Sequence, residues 1–222
     1  MKQRSFTRFV LEGLEGVAMT ILVLPTWPIT RRWLKDWGSS SAERERAWPG
    51  DHLASEPETV YTRAITIDAP RAKVWPWVVQ FGLGRAGFYS YELLERIVGI
   101  PVKNIEEVAA DFQHLSVGDE IKLHPTAPGI PVALLNPEGH VCFGRLPEEG
   151  APDDLPDPNR SWSIYLQPED SGASRLIVRG CVERLRVPTL GKRLSLAVEE
   201  PIDFIMEQRM LRSLKRLVED RL

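Results

Sequence analysis

The closing stretch PIDFIMEQRMLRSLKRLVEDRL, Pro201–Leu222, decides the reading of the fold. Ile202, Ile205, Met206, Met210, Leu214, Leu217 and Val218 recur every three or four residues and form one apolar stripe. Pro201 suits a first helical position, and Asp203 suits the positive end of a helix dipole. Arg209, Arg212, Lys215 and Arg216 lie mostly off the stripe. The spacing predicts one long amphipathic helix, which must bury its stripe against another element.

The preceding sequence supplies that element. From Asp119 the hydrophobic period changes to two. EIKLHP, PVALLNP, HVCFGRL, RSWSIYLQP and SRLIVRGCVERLRV read as successive strands separated by Pro, Gly, Asn and Asp turns. They predict an antiparallel sheet curved around the last helix. Between them PEEGAPDDLPDPN, Pro147–Asn159, carries acids and no base and reads as a solvated hairpin tip.

Upstream, VYTRAITIDAP (Val60–Pro70) alternates and reads as a first strand. Tyr61, Arg63, Ile65 and Ile67 share one face; Val60, Thr62, Ala64 and Thr66 share the other. A helix entered at Pro70 would turn Val74, Trp77 and Val78 inward, with Pro76 near its start or kinking it. FYSYELLERIVGI (Phe88–Ile100) reads as a second helix, with Tyr91, Leu94 and Ile97/Val98 inward and Gly99 and Pro101 ending it. The expected fold class is α+β: a curved antiparallel sheet wrapped around a long C-terminal helix, with two short helices after the first strand. The gap between sheet and last helix is a natural place for a cavity.

Three parts follow from composition along the chain: residues 1–37, a linker at 38–58, and a domain at 59–222. The first part holds Lys2, Arg4, Arg8, Arg31, Arg32 and Lys35 against Glu12 and Glu15, although the whole chain is slightly acidic, with net charge −3. Its uncharged run, Gly16–Thr30, is shorter than the roughly 20 apolar residues of a bilayer span. Phe6, Val10, Leu14, Val17, Ile21 and Leu24 predict an amphipathic helix that Pro25 and Pro28 end. Trp27, Trp33 and Trp37 stand among its basic residues like an interfacial belt. Such a helix suits an anionic membrane surface, or equally docking on its own domain or on a second subunit. The protein is expected to be cytoplasmic, associated with a membrane through this segment.

The charge balance argues against nucleic-acid binding. Cys142 and Cys181 do not form a disulfide framework and read as buried small hydrophobes. His52, His114, His124 and His140 lie far apart, so no metal site and no cofactor are expected.

The element order, with TRAITIDAPRAKVWPWVVQFGLGRAGFYSYELLE, FQHLSVGDEI, SWSIYLQP, RLIVRG and FIMEQRMLRSLKRLVE, resembles a bacterial branch of the START-like (SRPBCC) superfamily. The resemblance runs from about Thr59 to the end and implies the helix-grip fold of the birch-pollen-allergen family. It also implies a small hydrophobic ligand (lipid, isoprenoid or polyketide-like) in the cavity. The alternatives are a cyclase or hydratase acting there, or a protein-interaction module without ligand.

GLGRAG, Gly82–Gly87, matches a dinucleotide-binding pattern with Glu106 or Glu107 as the ribose acid. The βαβ context is missing, and Pro76 is foreign to a central parallel strand. The glycines therefore read as a tight corner joining two helices. Arg85, Tyr89, Tyr91 and Glu95 near that corner are the catalytic candidates; the other reading is an Arg–Glu pair with capping hydroxyls. They also count as ligand contacts, with Trp77, Phe88, Trp162, Arg179, Met206 and Met210. His114 with Asp119, and Arg179 with Glu183, are weaker acid–base pairs.

Overall fold

A computed structural model describes residues 6–145, 159–184 and 189–221. In chain order it contains α1 (Phe6–Lys35), α2 (Ser41–Glu45), β1 (Pro57–Ile67), α3 (Arg71–Val79), α4 (Glu92–Ile97), β2 (Glu120–Ile121), β3 (Ile130–Asn136), β4 (His140–Phe143), β5 (Arg160–Pro168), β6 (Ser174–Glu183) and α5 (Leu190–Glu219). The strands form one antiparallel sheet in the order β1-β6-β5-β4-β3-β2. The closing pair β1 and β6 brings the two ends of the domain together and leaves α5 on the concave face. This is the helix-grip arrangement expected from the sequence.

The alternation in β1 sets the rest. Register pairs Tyr61 with Gly180 and Arg63 with Val178, and pairs Gly180 with Trp162 and Val178 with Ile164. Side chains in one such row share a face, so Tyr61, Arg63, Val178, Trp162 and Ile164 look toward α5. The main core fills that side with Trp77, Phe81, Phe88, Phe143, Ile164, Val178, Met210, Leu211 and Leu214. The other face is also covered. The stretch between α1 and β1 lays Trp48 and Leu53 over Ala64, Cys142, Tyr165 and Ile177, with Trp48 and Tyr165 ring centroids 4.4 Å apart. Cys142 and Cys181 are both free and buried.

Several expectations are corrected. α1 does not stop at Pro25 and Pro28; both lie inside it. Packing of Val23, Trp27 and Leu34 on Tyr91, Phe204 and Ile205 holds the helix past them. The expected stripe Phe6, Val10, Leu14, Val17 and Ile21 faces outward, which fits the membrane-surface alternative, while Glu12, Gly13, Gly16, Val23, Trp27 and Leu34 are buried. Small residues win the inner face by letting the helix approach Leu93 and Tyr91 closely. Of the expected tryptophan belt, Trp27 is buried and Trp33 exposed.

The second helix is α4 alone. Phe88–Tyr91 form a loop in which Tyr89 has φ 55°. This left-handed conformation is incompatible with a helix running through it, and Ile97 and Val98 are exposed. The side chain of Asn104 holds the loop, its Oδ1 accepting from the amides of Phe88 (3.0 Å) and Tyr89 (2.7 Å). Gly87 has φ 85°, and a Cβ there would stand 2.5 Å from Asn104 Oδ1. The GLGRAG run is the tight corner between α3 and α4, closed by a Gly82–Gly87 bridge. α5 begins at Leu190, so Pro201 is interior to it. Pro201 therefore cannot donate to the carbonyl of Ala197, four residues back. Phe204 and Leu211 are buried beside the expected stripe residues. The acidic hairpin tip, 147–158, lies outside the described residues.

Candidate functional site

The interior is packed where the second half of α5 crosses the sheet and hollow where its first half does. A cavity of about 640 Å3 lies between the open end of β1, β5 and β6, the first half of α5, and the C-terminal half of α1. Trp27 and Arg31 come from α1; Glu58, Thr59, Tyr61 and Arg63 from β1; Arg160 from β5; Val182 and Glu183 from β6; Ala197, Glu199, Glu200 and Asp203 from α5. Arg184 follows β6 on the same wall. Trp27, the ring of Tyr61, Val182 and Ala197 supply apolar surface. Most of the remaining lining is charged.

Arg63 forms the floor and is 1% exposed. Its Nη1 donates to Glu207 Oε2 at 2.5 Å, and its Nε to the carbonyl of Leu34 at 3.0 Å. Its guanidinium lies over the rings of Tyr61 (4.3 Å) and Phe204 (5.2 Å). Glu207 Oε1 accepts from Trp162 Nε1 at 2.7 Å and from the Tyr61 hydroxyl at 3.4 Å. One carboxylate thus ties α5 to β1 and β5, and the guanidinium ties β1 to the end of α1. Such a buried set holds only if its members are paired.

Gly180 makes the arrangement possible. A Cβ there would stand 2.3 Å from the Tyr61 ring, so the ring lies flat against a strand position without a side chain. Burial pushes the Tyr61 hydroxyl well above its usual range, and the neighbouring Glu207 adds to this. At the rim, Arg160 donates to Glu199 at 2.7 Å and Arg31 to Glu200 at 3.0 Å.

Asp203, one turn from Glu207, is the unusual group. Its side chain is exposed to the water of the cavity, which limits how far the surrounding protein can perturb it. Burial pushes its carboxyl up to about 7, against the opposing pull of Arg160 and Arg63. A carboxyl poised near neutrality in a cavity can hold or release a proton at working pH.

The residues singled out from the sequence lie elsewhere. Trp77, Phe88, Tyr89 and Met210 are packed in the main core. The Tyr89 hydroxyl donates to the carbonyl of Trp77 and accepts from Gln80 Nε2, and burial raises its pKa. Arg85 Nη2 donates to the carbonyls of Val79 and Phe112, bracing the corner. Tyr91 lies beneath α1 with Arg209 over its ring, and burial raises its hydroxyl to about 12. Glu95 is buried and accepts from Ser90 Oγ at 2.7 Å; burial raises its carboxyl. Met206 packs under α1. Arg179 is on the opposite face of the sheet, paired with Asp51 at 2.7 Å. Trp162 alone joins the site, through Glu207. The structure thus separates the four catalytic candidates from the cavity, and the expected Arg–Glu pair does not form: Arg85 bonds carbonyls and Glu95 bonds Ser90.

Sequence reasoning missed Tyr61, Arg63, Asp203 and Glu207. The signal was there: an arginine on the otherwise apolar face Tyr61–Ile65–Ile67, a glycine inside strand β6, and two carboxylates four residues apart on α5. Among the described residues, no group of three or more His, Cys, Asp or Glu side chains is placed to hold a metal ion.

No protein-family model and no curated protein matches the chain. Solved structures do resemble it. XoxI from Bacillus cereus is 14% identical, with TM-score 0.43 over 73% of this chain and 97% of that one. Ara h 8.0201 is 15% identical, with TM-score 0.38 over 73% and 98%. CalU16 from Micromonospora echinospora is 12% identical, with TM-score 0.35 over 73% and 82%.

Proposed function

We propose that this is a ligand-binding protein of START-like type that holds a small amphiphilic molecule, lipid, isoprenoid or polyketide-like, in the cavity at the first half of α5, and that it works at a membrane. The carrying observation is the cavity itself. It lies on the concave side of a helix-grip sheet, is large enough for a small ligand, and combines an apolar wall with an ionic floor. The apolar part of a ligand would lie on Trp27, Tyr61, Val182 and Ala197; its polar head would face Arg63, Arg160 and Asp203. A purely apolar guest would strip the water from Arg160 and Asp203, a loss that ion pairing repays only in part. The sequence resemblance supports the same reading. The membrane placement rests on α1, a 30-residue helix whose Phe6, Leu14, Ile21 and Ile29 are exposed apolar side chains.

The test is uptake of a fluorescent fatty acid by the purified chain, with native mass spectrometry for co-purifying amphiphiles. Val182→Trp, which fills the cavity from β6, is expected to weaken uptake by about tenfold or more. Unchanged uptake in that variant sinks the reading.

A second reading, an enzyme of the cyclase or hydratase kind, is favoured by Asp203. In it this carboxyl moves a proton on a bound carbonyl compound. Asp203→Asn would then stop turnover of such a compound while leaving fatty-acid uptake intact.

A further inference from the structure

α1 has two unlike faces. The inner one is tied to the domain along its length. Arg8 pairs with Glu106 at 3.0 Å, Arg209 with Glu12 at 2.6 Å and with Glu15 at 3.2 Å, and Arg31 with Glu200 at 3.0 Å. Between Thr7 and Pro28 the charged residues are Arg8, Glu12 and Glu15, and all three are held in these pairs.

The outer face is therefore mostly apolar, and the exposed Glu15 beside it is held by Arg209. Phe6 is 79% exposed, Leu14 61%, Ile21 69% and Ile29 90%, with Leu11 and Leu22 beside them. At 1.5 Å per residue the strip from Phe6 to Ile29 is about 35 Å long. Exposed apolar strips of this extent mark an interaction surface.

Charge selects the occupant. Both ends of the segment are cationic in sequence: Lys2 and Arg4 before the helix, Arg32 and Lys35 at its end, with Arg31 held by Glu200 on the inner face. Two copies pairing along this face would bring cations against cations in either orientation. An anionic bilayer satisfies both ends and the apolar strip between them. The exposed Trp33 stands at the basic end, where an indole suits the headgroup layer. Crossing the bilayer is a different matter. It would break the inner ion pairs and carry Glu12 and Glu15 to membrane depth.

We propose that α1 is an in-plane membrane-docking helix, laying its outer face into an anionic bilayer while its inner face stays on the domain. Trp27 and Arg31 of the same helix wall the cavity, so the cavity is held at the bilayer surface and takes its amphiphile from there. The supply route rests on the ligand reading above; the seating of α1 stands on its own face.

The full chain is mixed with phosphatidylcholine vesicles containing about 30% phosphatidylglycerol and floated. Wild type is expected to float and to be stripped by alkaline carbonate. The double variant Leu14→Glu/Ile21→Glu, at two outward positions, is expected to lose about tenfold or more of the bound fraction with its near-ultraviolet circular dichroism unchanged. Val182→Trp is expected to float as wild type does, so a failed uptake assay would sink the ligand reading and leave this one standing. Undiminished flotation of the double variant overturns the proposal, as does loss of flotation in Val182→Trp. Carbonate-resistant attachment overturns it in favour of a spanning helix. Absence of flotation together with a dimer that the double variant splits, by light scattering, overturns it in favour of a contact between copies.

Discussion

Replacing Glu207 by Leu should be among the most damaging single substitutions in this protein. Arg63 is 1% exposed and Glu207 8% exposed, so both charges are out of water. Removing the carboxylate leaves the guanidinium with the Leu34 carbonyl as its remaining hydrogen-bond acceptor. Breaking one side of a buried ion pair costs about 3–5 kcal/mol, because the other charge stays buried without a partner. For a domain of this size each kcal/mol moves the midpoint by about 2–4 °C, so Tm should fall by about 6–20 °C. The companion variant Arg63→Met/Glu207→Leu removes both charges. What it leaves is an indole N–H on Trp162 and a hydroxyl on Tyr61 that have lost their acceptor. The hydroxyl can turn to cavity water; the indole costs about 1–3 kcal/mol as a buried donor. Glu207→Leu alone strands the same two donors, so that cost is common to both variants, and the double variant should recover most of the cost of the unpaired guanidinium, about 3–5 kcal/mol. Equilibrium urea unfolding followed by circular dichroism reads both numbers. A cost below about 1 kcal/mol for Glu207→Leu, or a double variant no more stable than the single, refutes the account of the cavity floor.

Three other outcomes follow from the same structure. The folded-state pKa of Asp203, about 7, lies above its ordinary value of 3.8, so the stability it contributes is complete below about 4 and is lost as pH rises through 7; Asp203→Asn should raise Tm at pH 8 and not at pH 4, and an equal change at both contradicts the burial argument. Gly180→Ala places a Cβ 2.3 Å from the Tyr61 ring and should cost about 1–3 kcal/mol; Tyr61→Leu in the same chain should restore most of it in a thermal melt, and no restoration would mean the strain lies elsewhere. Asn104→Leu strands the Phe88 and Tyr89 amides and should cost about 2–4 kcal/mol by urea unfolding, whereas a change below about 0.5 kcal/mol would show that water replaces the amide oxygen there.

The parts of the fold legible in the sequence are those whose local pattern agrees with their burial. β5 and β6 are short apolar runs bounded by turn residues and buried on both faces, and α5 carries its stripe at helical spacing, so each declares its element type. The misread parts are those where tertiary contact overrides the local signal. Pro25, Pro28 and Pro201 all lie inside helices that packing holds past them. For α1 the sequence left membrane and domain docking open, and its apolar stripe points outward because Gly13 and Gly16 let the inner face approach Leu93 and Tyr91 closely. The candidate residues near GLGRAG lie away from the cavity for a similar reason. They formed the densest polar set in sequence, but Tyr89 and Glu95 are polar groups satisfied inside a core and Arg85 braces a corner. The cavity is assembled from residues far apart in sequence, Arg31, Arg63, Arg160 and Asp203, which no local window brings together.

The location of the cavity follows from those charges. Along the second half of α5, Phe81, Phe88, Trp162, Met210 and Leu211 close the space between helix and sheet, and nothing there resists contact. At the first half the facing residues are Arg31, Arg63 and Arg160 against Glu199, Glu200 and Asp203. Collapsing this end would strip water from all of them except Arg63, which is buried already, and ion pairs recover such a loss only partly. A solvated hollow is therefore the cheaper state at this end, and a guest that displaces its water must bring polar atoms of its own. The same reasoning makes the apolar interior of the second half a poor alternative site, since a ligand there would have to displace close-packed aromatic side chains.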